Sequence, residues 1–145
     1  MRGRRVDERL WQLTRIGKFS FNISGQGAEV GQAAMALAFD YDKDYFLPYY
    51  RDLTAVLMWG MTTKDIMLAG FGKEADPASH GRQMPSHYGS KAHNIVSHSS
   101  PVSTQYPISA GIAYGAQMRG EDYVTVVTTG DGSFSQGECA EAMNL

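Results

Sequence analysis

The chain has 145 residues, enough for one domain, and its 43% hydrophobic against 19% charged content suits a globular protein that buries a core. A net charge of −2 gives no electrostatic basis for gripping nucleic acid or an anionic membrane surface, and no apolar run reaches the roughly 18 residues a membrane span needs. The single cysteine, Cys139, excludes an internal disulfide framework, while Asp7 and Glu8 among the early arginines argue against a transit peptide.

Val6, Leu10, Leu13 and Gly17 share one helical face and predict an amphipathic helix ending at Gly17. Ser24-Gly25-Gln26-Gly27 reads as a turn, and 28–39 as an Ala-rich helix with Glu29 in its first turn, where the helix dipole favours an anion. Tyr45–Leu47 reads as a short strand stopped by Pro48, with Asp52 placed to N-cap a helix over Leu53–Trp59. Thr62 and Asp65 have the spacing of a capping box and open a helix that ends near Gly70. Met58, Met61 and Met67, close to Trp59, read as core.

Residues 72–101 show no period and are rich in Gly, His, Ser and Pro, which marks a functional loop. It holds His80, His87, His93 and His98, whose spacing fits neither helical pairing nor a zinc pattern, so solvated loop histidines are expected. A helix over 108–118 follows Pro107, with Gly111 and Gly115 one turn apart to admit another backbone and Gly120 at its end. Residues 123–128 are β-branched without alternation, the pattern of a strand buried on both faces of a parallel sheet. Gly130-Asp131-Gly132 follows directly, then a helix for which Ser135 and Glu138 have capping-box spacing and on which Cys139 is packed. The fold class is therefore α/β, with ligands expected at the carboxyl ends of strands. A chain that stops within a helix at Leu145, with so few strands, reads as a fragment truncated at both its N- and C-terminus and as possessing an incomplete parallel sheet.

The turn Gly130-Asp131-Gly132-Ser133 sets backbone N–H groups and a helix start beside one carboxylate. N–H groups suit diphosphate oxygens, and glycine permits close approach. The carboxylate would repel those oxygens without a bridging cation, so Asp131 suits Mg²⁺, which takes few protein carboxylates plus phosphate oxygens. From the residues alone a plain Asp-Gly turn serves equally well.

Four ordered segments, Pro48-Tyr49-Tyr50-Arg51-Asp52, the ten residues from His80 to Gly89 (HGRQMPSHYG), the seven from Ser99 to Gln105 (SSPVSTQ) and Gly130-Asp131-Gly132-Ser133 with Gly137-Glu138, resemble one family. With the looser Ser24-to-Gly31 stretch they are similar to the alpha subunits of thiamine-diphosphate-dependent branched-chain 2-oxo acid (2-oxoisovalerate) dehydrogenases. The resemblance implies a thiamine-diphosphate-binding fold with a parallel sheet flanked by helices, of which 1–145 is a partial domain. It implies Tyr50, Arg51, Gly130, Asp131, Gly132 and Ser133 around the diphosphate, Asp131 on magnesium, and Ser100 and Val102 near the aminopyrimidine. It further implies a potassium site from Ser99, Pro101, Thr104 and Gln105, and a substrate pocket touching Phe21 and His87.

The implied activity is oxidative decarboxylation of branched-chain 2-oxo acids, the cofactor storing the carbanion electrons, with acyl transfer to a lipoyl-bearing acyltransferase core. The implied partner is a beta subunit in an alpha2beta2 assembly, in the cytoplasm of a bacterium or the mitochondrial matrix of a eukaryote. No catalytic acid or base falls within 1–145, and the second magnesium ligand, an Asn, is expected beyond Leu145; the chain alone is therefore expected to be inactive. The rival readings are a pyruvate or acetoin dehydrogenase alpha subunit, a non-catalytic diphosphate-binding module and a ligand-free interaction fragment. The chain lacks both GxxxxGK[ST] and GxGxxG, which disfavours a nucleotide module.

Overall fold

The structure is a computed structural model that describes residues 1–97 and 100–145. Helix α1 (Arg2–Arg15) buries Val6, Leu10 and Leu13 on one face, and the chain leaves it through Gly17 at φ +69°, a left-handed conformation that glycine adopts without strain. Gly3 lies directly on the next layer: a Cβ there would stand 2.1 Å from Thr54 Oγ1. Helix α2 (Glu29–Leu37) packs on α3 (Leu53–Trp59), and α4 (Thr63–Gly70) opens with the anticipated capping box, Thr62 Oγ1 accepting the Asp65 N–H at 3.2 Å and Asp65 accepting the Thr62 N–H at 2.8 Å.

Strand β1 (Tyr45–Leu47) and strand β2 (Thr125–Val127) form the sheet found among the described residues, parallel, with Phe46 opposite Val126. The other edge of β1 is covered by the loop, since the Phe46 N–H donates to Asn94 O (3.0 Å) and the Val96 N–H to Phe46 O (2.8 Å). Residues 72–97 thus lack regular structure beyond a 3-10 turn at Lys91–His93, as anticipated, yet they are anchored. Asp76 supplies a second anchor: its buried carboxylate accepts the N–H groups of Ala78, Ser79 and Gly81 at 3.0–3.2 Å. The core lies between this sheet and α1, α3 and α4. Trp59 and Phe46 are fully buried and stack with centroids 4.7 Å apart, surrounded by Leu10, Val56, Met61, Ile95 and Val126.

Helix α5 (Gln105–Arg119) starts three residues before the anticipated 108, because Pro107 falls in the first turn, where its missing N–H breaks no helical bond. Helix α6 (Gly137–Asn144) packs on α5 and buries Cys139, as anticipated.

Four local expectations are corrected. Asp52 occupies the N-cap position of α3 but does not cap it; Gln32 of α2 does so instead, its Oε1 accepting the N–H groups of Thr54 (3.0 Å) and Ala55 (3.3 Å). Ser135 and Glu138 form no capping box, because residues 131–135 already coil as a 3-10 turn and Gln136 becomes the N-cap residue. No other part of the described chain approaches Gly111 or Gly115, so their small size serves no contact there. Strand β2 is shorter than 123–128: α5 packs on it, yet only Val126 is buried, Thr125 and Val127 stay partly exposed, and Val124, just before the strand, is 51% exposed.

Candidate cofactor-binding site

Both strands end at the same edge, and three turns converge there. Pro48 terminates β1 and leads into Tyr49-Tyr50-Arg51-Asp52; Thr128-Thr129 ends β2 and leads into Gly130–Ser133; the chain before α5 supplies Ser100–Thr104. The Tyr49 and Tyr50 rings pack at 4.4 Å, and the Arg51 guanidinium carbon sits 5.6 Å from the Tyr50 ring centroid. Arg51 Nη1 donates to Ser24 O at 2.9 Å, which ties the anticipated Gly-rich turn to the site. Gly25 is needed for that fit, since a Cβ there would stand 2.1 Å from the Arg51 carbonyl oxygen.

The first turn is bolted to the second by buried polar groups. The Asp52 carboxylate is 5% exposed; it accepts the Tyr49 N–H at 2.8 Å and the hydroxyl of Thr128. Burial raises its pKa above the ordinary carboxylate range, opposed by those two donors. Burial likewise raises the Tyr49 hydroxyl, and the neighbouring Arg51 charge opposes it. The third turn is tied down in turn. Ser103, fully buried and at φ +74°, donates its hydroxyl to Ser133 O at 2.7 Å, and Gln105 Nε2 donates to Thr128 O at 3.1 Å.

These ties create two spaces. A cleft of about 690 Å³ is lined by Ser24 to Ala28, Tyr49, Arg51, Asp52, Thr128 and Phe134, among others. A crevice of about 10 Å³ lies between Tyr49, Tyr50, Ser100, Val102, Gln105 and Ser133. The anticipated residues Tyr50, Ser100, Val102 and Ser133 therefore meet in one crevice, with Arg51 on the cleft beside it. Gly130 backs onto Tyr49, a Cβ there standing 3.5 Å from the hydroxyl; Gly132 faces open space, and Asp131 projects exposed from the first position of the 3-10 turn. An exposed carboxylate, open backbone at Gly132 and a nearby guanidinium fit a diphosphate with a bridging hard cation.

Pro101, Thr104 and Gln105 sit together where α5 begins, the Thr104 hydroxyl donating to Pro101 O at 3.1 Å; Ser99, the remaining residue of the anticipated potassium set, and His98 lie outside the described residues. His87 is buried. Its Nδ1 donates to Pro85 O at 3.1 Å, and its Nε2 is hydrogen-bonded with the Ser100 hydroxyl at 2.7 Å. His87 thus joins the site through Ser100. Phe21 is half-buried and lines neither the cleft nor the crevice. Tyr49, Thr128, Thr129 and Ser103 were not anticipated; the dipeptide Thr128-Thr129 just before Gly130 was the available signal, because a residue ending a parallel strand points its polar groups at the ligand edge.

The Gly130-Asp131-Gly132 turn that closes a parallel strand and the Arg51-bearing turn that closes its neighbour lie at the strand-end edge where α/β sheets take their ligands. Comparison with known proteins narrows this: the chain matches the Dehydrogenase E1 component family over residues 1–145 and belongs to that family. It is 52% identical over 142 residues to the 2-oxoisovalerate dehydrogenase subunit alpha of Bacillus subtilis (98% of this chain, 43% of the relative). It is 38% identical over 141 residues to the mitochondrial subunit alpha 1 of Arabidopsis thaliana (97% and 29%) and 32% over 140 residues to the mitochondrial human subunit (97% and 31%). The chain thus spans less than half the length of these relatives.

Proposed function

We propose that this chain is the cofactor-holding part of the alpha subunit of a branched-chain 2-oxo acid dehydrogenase, and that residues 1–145 form part of a thiamine-diphosphate-binding domain. The observation that carries the reading is the convergence of the Tyr50-Arg51, Ser100–Val102 and Gly130–Ser133 turns at the ends of two parallel strands. The relatives are all called 2-oxoisovalerate dehydrogenase alpha subunits, which supports the branched-chain substrate over pyruvate or acetoin.

On this reading each residue has a physical task. The Asp131 carboxylate takes one position on Mg²⁺, the cation that lets a carboxylate and a diphosphate share a site. Arg51 presents its guanidinium fork to the phosphate oxygens, flanked by the Tyr50 ring and steadied by Ser24 O. The Gly130–Ser133 backbone supplies N–H groups at close range. Ser100, its hydroxyl directed by His87 Nε2, lies with Val102 where the aminopyrimidine would rest, and Phe21 and His87 are the candidate substrate contacts. Pro101, Thr104 and Gln105, with Ser99, are the candidate potassium ligands. When bound, thiamine diphosphate supplies the electron sink for decarboxylation. The acyl group then passes to a lipoyl-bearing acyltransferase, and a beta subunit completes the site in an alpha2beta2 assembly, in the cytoplasm or the mitochondrial matrix.

The test is turnover of a panel of 2-oxo acids by the assembled alpha and beta subunits. Preference for 3-methyl-2-oxobutanoate over pyruvate is expected; preference for pyruvate would contradict the substrate, and turnover of none would contradict the activity.

A further inference from the structure

We infer that Asp52 is a positioning residue for cofactor binding: it fixes the Tyr50-Arg51 turn in register with the Gly130–Ser133 turn by clamping Thr128. The inference rests on the thiamine-diphosphate reading above and extends it to a residue that touches neither cofactor nor metal in that reading.

Three observations carry it. The capping role that the position offers is already filled, because Gln32 Oε1 serves the first N–H groups of α3 and Gln32 Nε2 donates to the Arg51 carbonyl at 2.9 Å. A carboxylate is thus buried where the helix does not need it, although burying one is unfavourable unless donors surround it. Its donors come from two strand ends: the Tyr49 N–H at 2.8 Å from one and the Thr128 hydroxyl from the other. Thr128 is in turn fixed on every side, its N–H donating to Leu47 O (3.2 Å), its carbonyl accepting Gln105 Nε2 (3.1 Å) and its hydroxyl oxygen accepting the Tyr49 N–H (3.2 Å). Asp52, Tyr49 and Thr128 therefore close a ring across the mouths of β1 and β2. One residue separates Asp52 from Tyr50, and one separates Thr128 from Gly130. Both grips on the diphosphate hang from this ring, which lines the 690 Å³ cleft with Arg51.

A clamp of this kind acts on affinity for the cofactor and not on the chemical step at saturation. Asp52→Ala, Thr128→Val, the double variant and Asp52→Asn are to be compared with wild type in the assembled alpha–beta enzyme. Calorimetry would read magnesium-dependent thiamine-diphosphate affinity, and kinetics would read kcat at saturating cofactor. Asp52→Ala and Thr128→Val are each expected to weaken cofactor binding by roughly tenfold, as loss of a buried charge-assisted hydrogen bond does. The double variant should be little worse than either single one, because both break the same bond. Asp52→Asn keeps an acceptor oxygen and should restore affinity most of the way, with kcat at saturation close to wild type throughout. Thr128→Val is nearly isosteric, so its result stands even where Asp52→Ala fails to fold. Variants that lower the melting temperature while binding as tightly as wild type, or whose losses simply add, would overturn the clamp. A wild-type enzyme that binds no thiamine diphosphate would overturn the underlying reading as well.

Discussion

Around Trp59 the chain is held by shape: the apolar side chains of Phe46, Leu10, Val56, Met61 and Ile95 close on the indole, and its Nε1 finds no hydrogen-bond partner among the described residues. At the far end of the same two strands the chain is held by polarity. Asp52, Ser103 and Gln105 are nearly as buried as the core, yet each makes directed hydrogen bonds that reach a neighbouring turn. The difference teaches where adjustment is possible. Apolar packing tolerates a swap of similar volume, whereas a buried polar tie is either made or left as an unpaired group. The proposed site is accordingly framed by ties that fix position, while the core supplies stability.

Trp59→Ala should cost about 3–5 kcal/mol in denaturant unfolding, because the fully buried ring leaves a cavity. In the cradle, Ser103→Ala should cost about 1 kcal/mol, since the Ser133 carbonyl loses its 2.7 Å donor and keeps only the Gln136 N–H at 3.1 Å. Its loss in cofactor affinity should be proportionately larger than that of a surface variant, and equal affinity would show that the Ser103 tie is merely structural. Thr62→Ala removes the capping box of α4 and should cost about 1 kcal/mol by thermal melting, with cofactor affinity unchanged.

Smaller still, Thr125→Val should be neutral or stabilising by up to about 1 kcal/mol, because the Thr125 hydroxyl is buried without a partner among the described residues. The smallest effect concerns Glu29, whose carboxyl is held down to about 2 by its hydrogen bond and charge pairing with Arg4 and by backbone N–H donors. A lowered folded-state pKa contributes stability above the ordinary glutamate value, and that contribution fades as pH falls through about 2. The stability difference between wild type and Glu29→Gln should therefore be present near neutrality and vanish in strong acid; a difference that survives there would contradict the pairing.

The helices were legible because their signals are local. The Val6-Leu10-Leu13 face, the Thr62–Asp65 box and the Gly120 terminus (φ +68°) each depend on residues within a turn of one another, and all three formed. The strand Tyr45–Leu47 was legible for the same reason, bounded by Pro48. The ties of the cradle were not. Asp52 looks like any N-cap until Gln32, twenty residues earlier in the chain, takes the cap from it. Ser103 reaches Ser133 across thirty residues, and no periodicity records such a partner. Ser135 misled because a 3-10 turn, which has no strong sequence signature, displaced the helix start to Gly137. The site turns themselves stood out through their resemblance to a family, and membership of that family is shown over the whole of 1–145.

On the proposed reading, Gly130-Asp131-Gly132 presents a magnesium carboxylate to a diphosphate. The most direct measurement is calorimetric titration of thiamine diphosphate, with and without Mg²⁺, into the assembled alpha and beta subunits carrying either Asp131 or Asp131→Ala. Tight, magnesium-dependent binding by the wild type, lost in Asp131→Ala, is the predicted result. Equal binding by both proteins, or binding indifferent to magnesium, would contradict it.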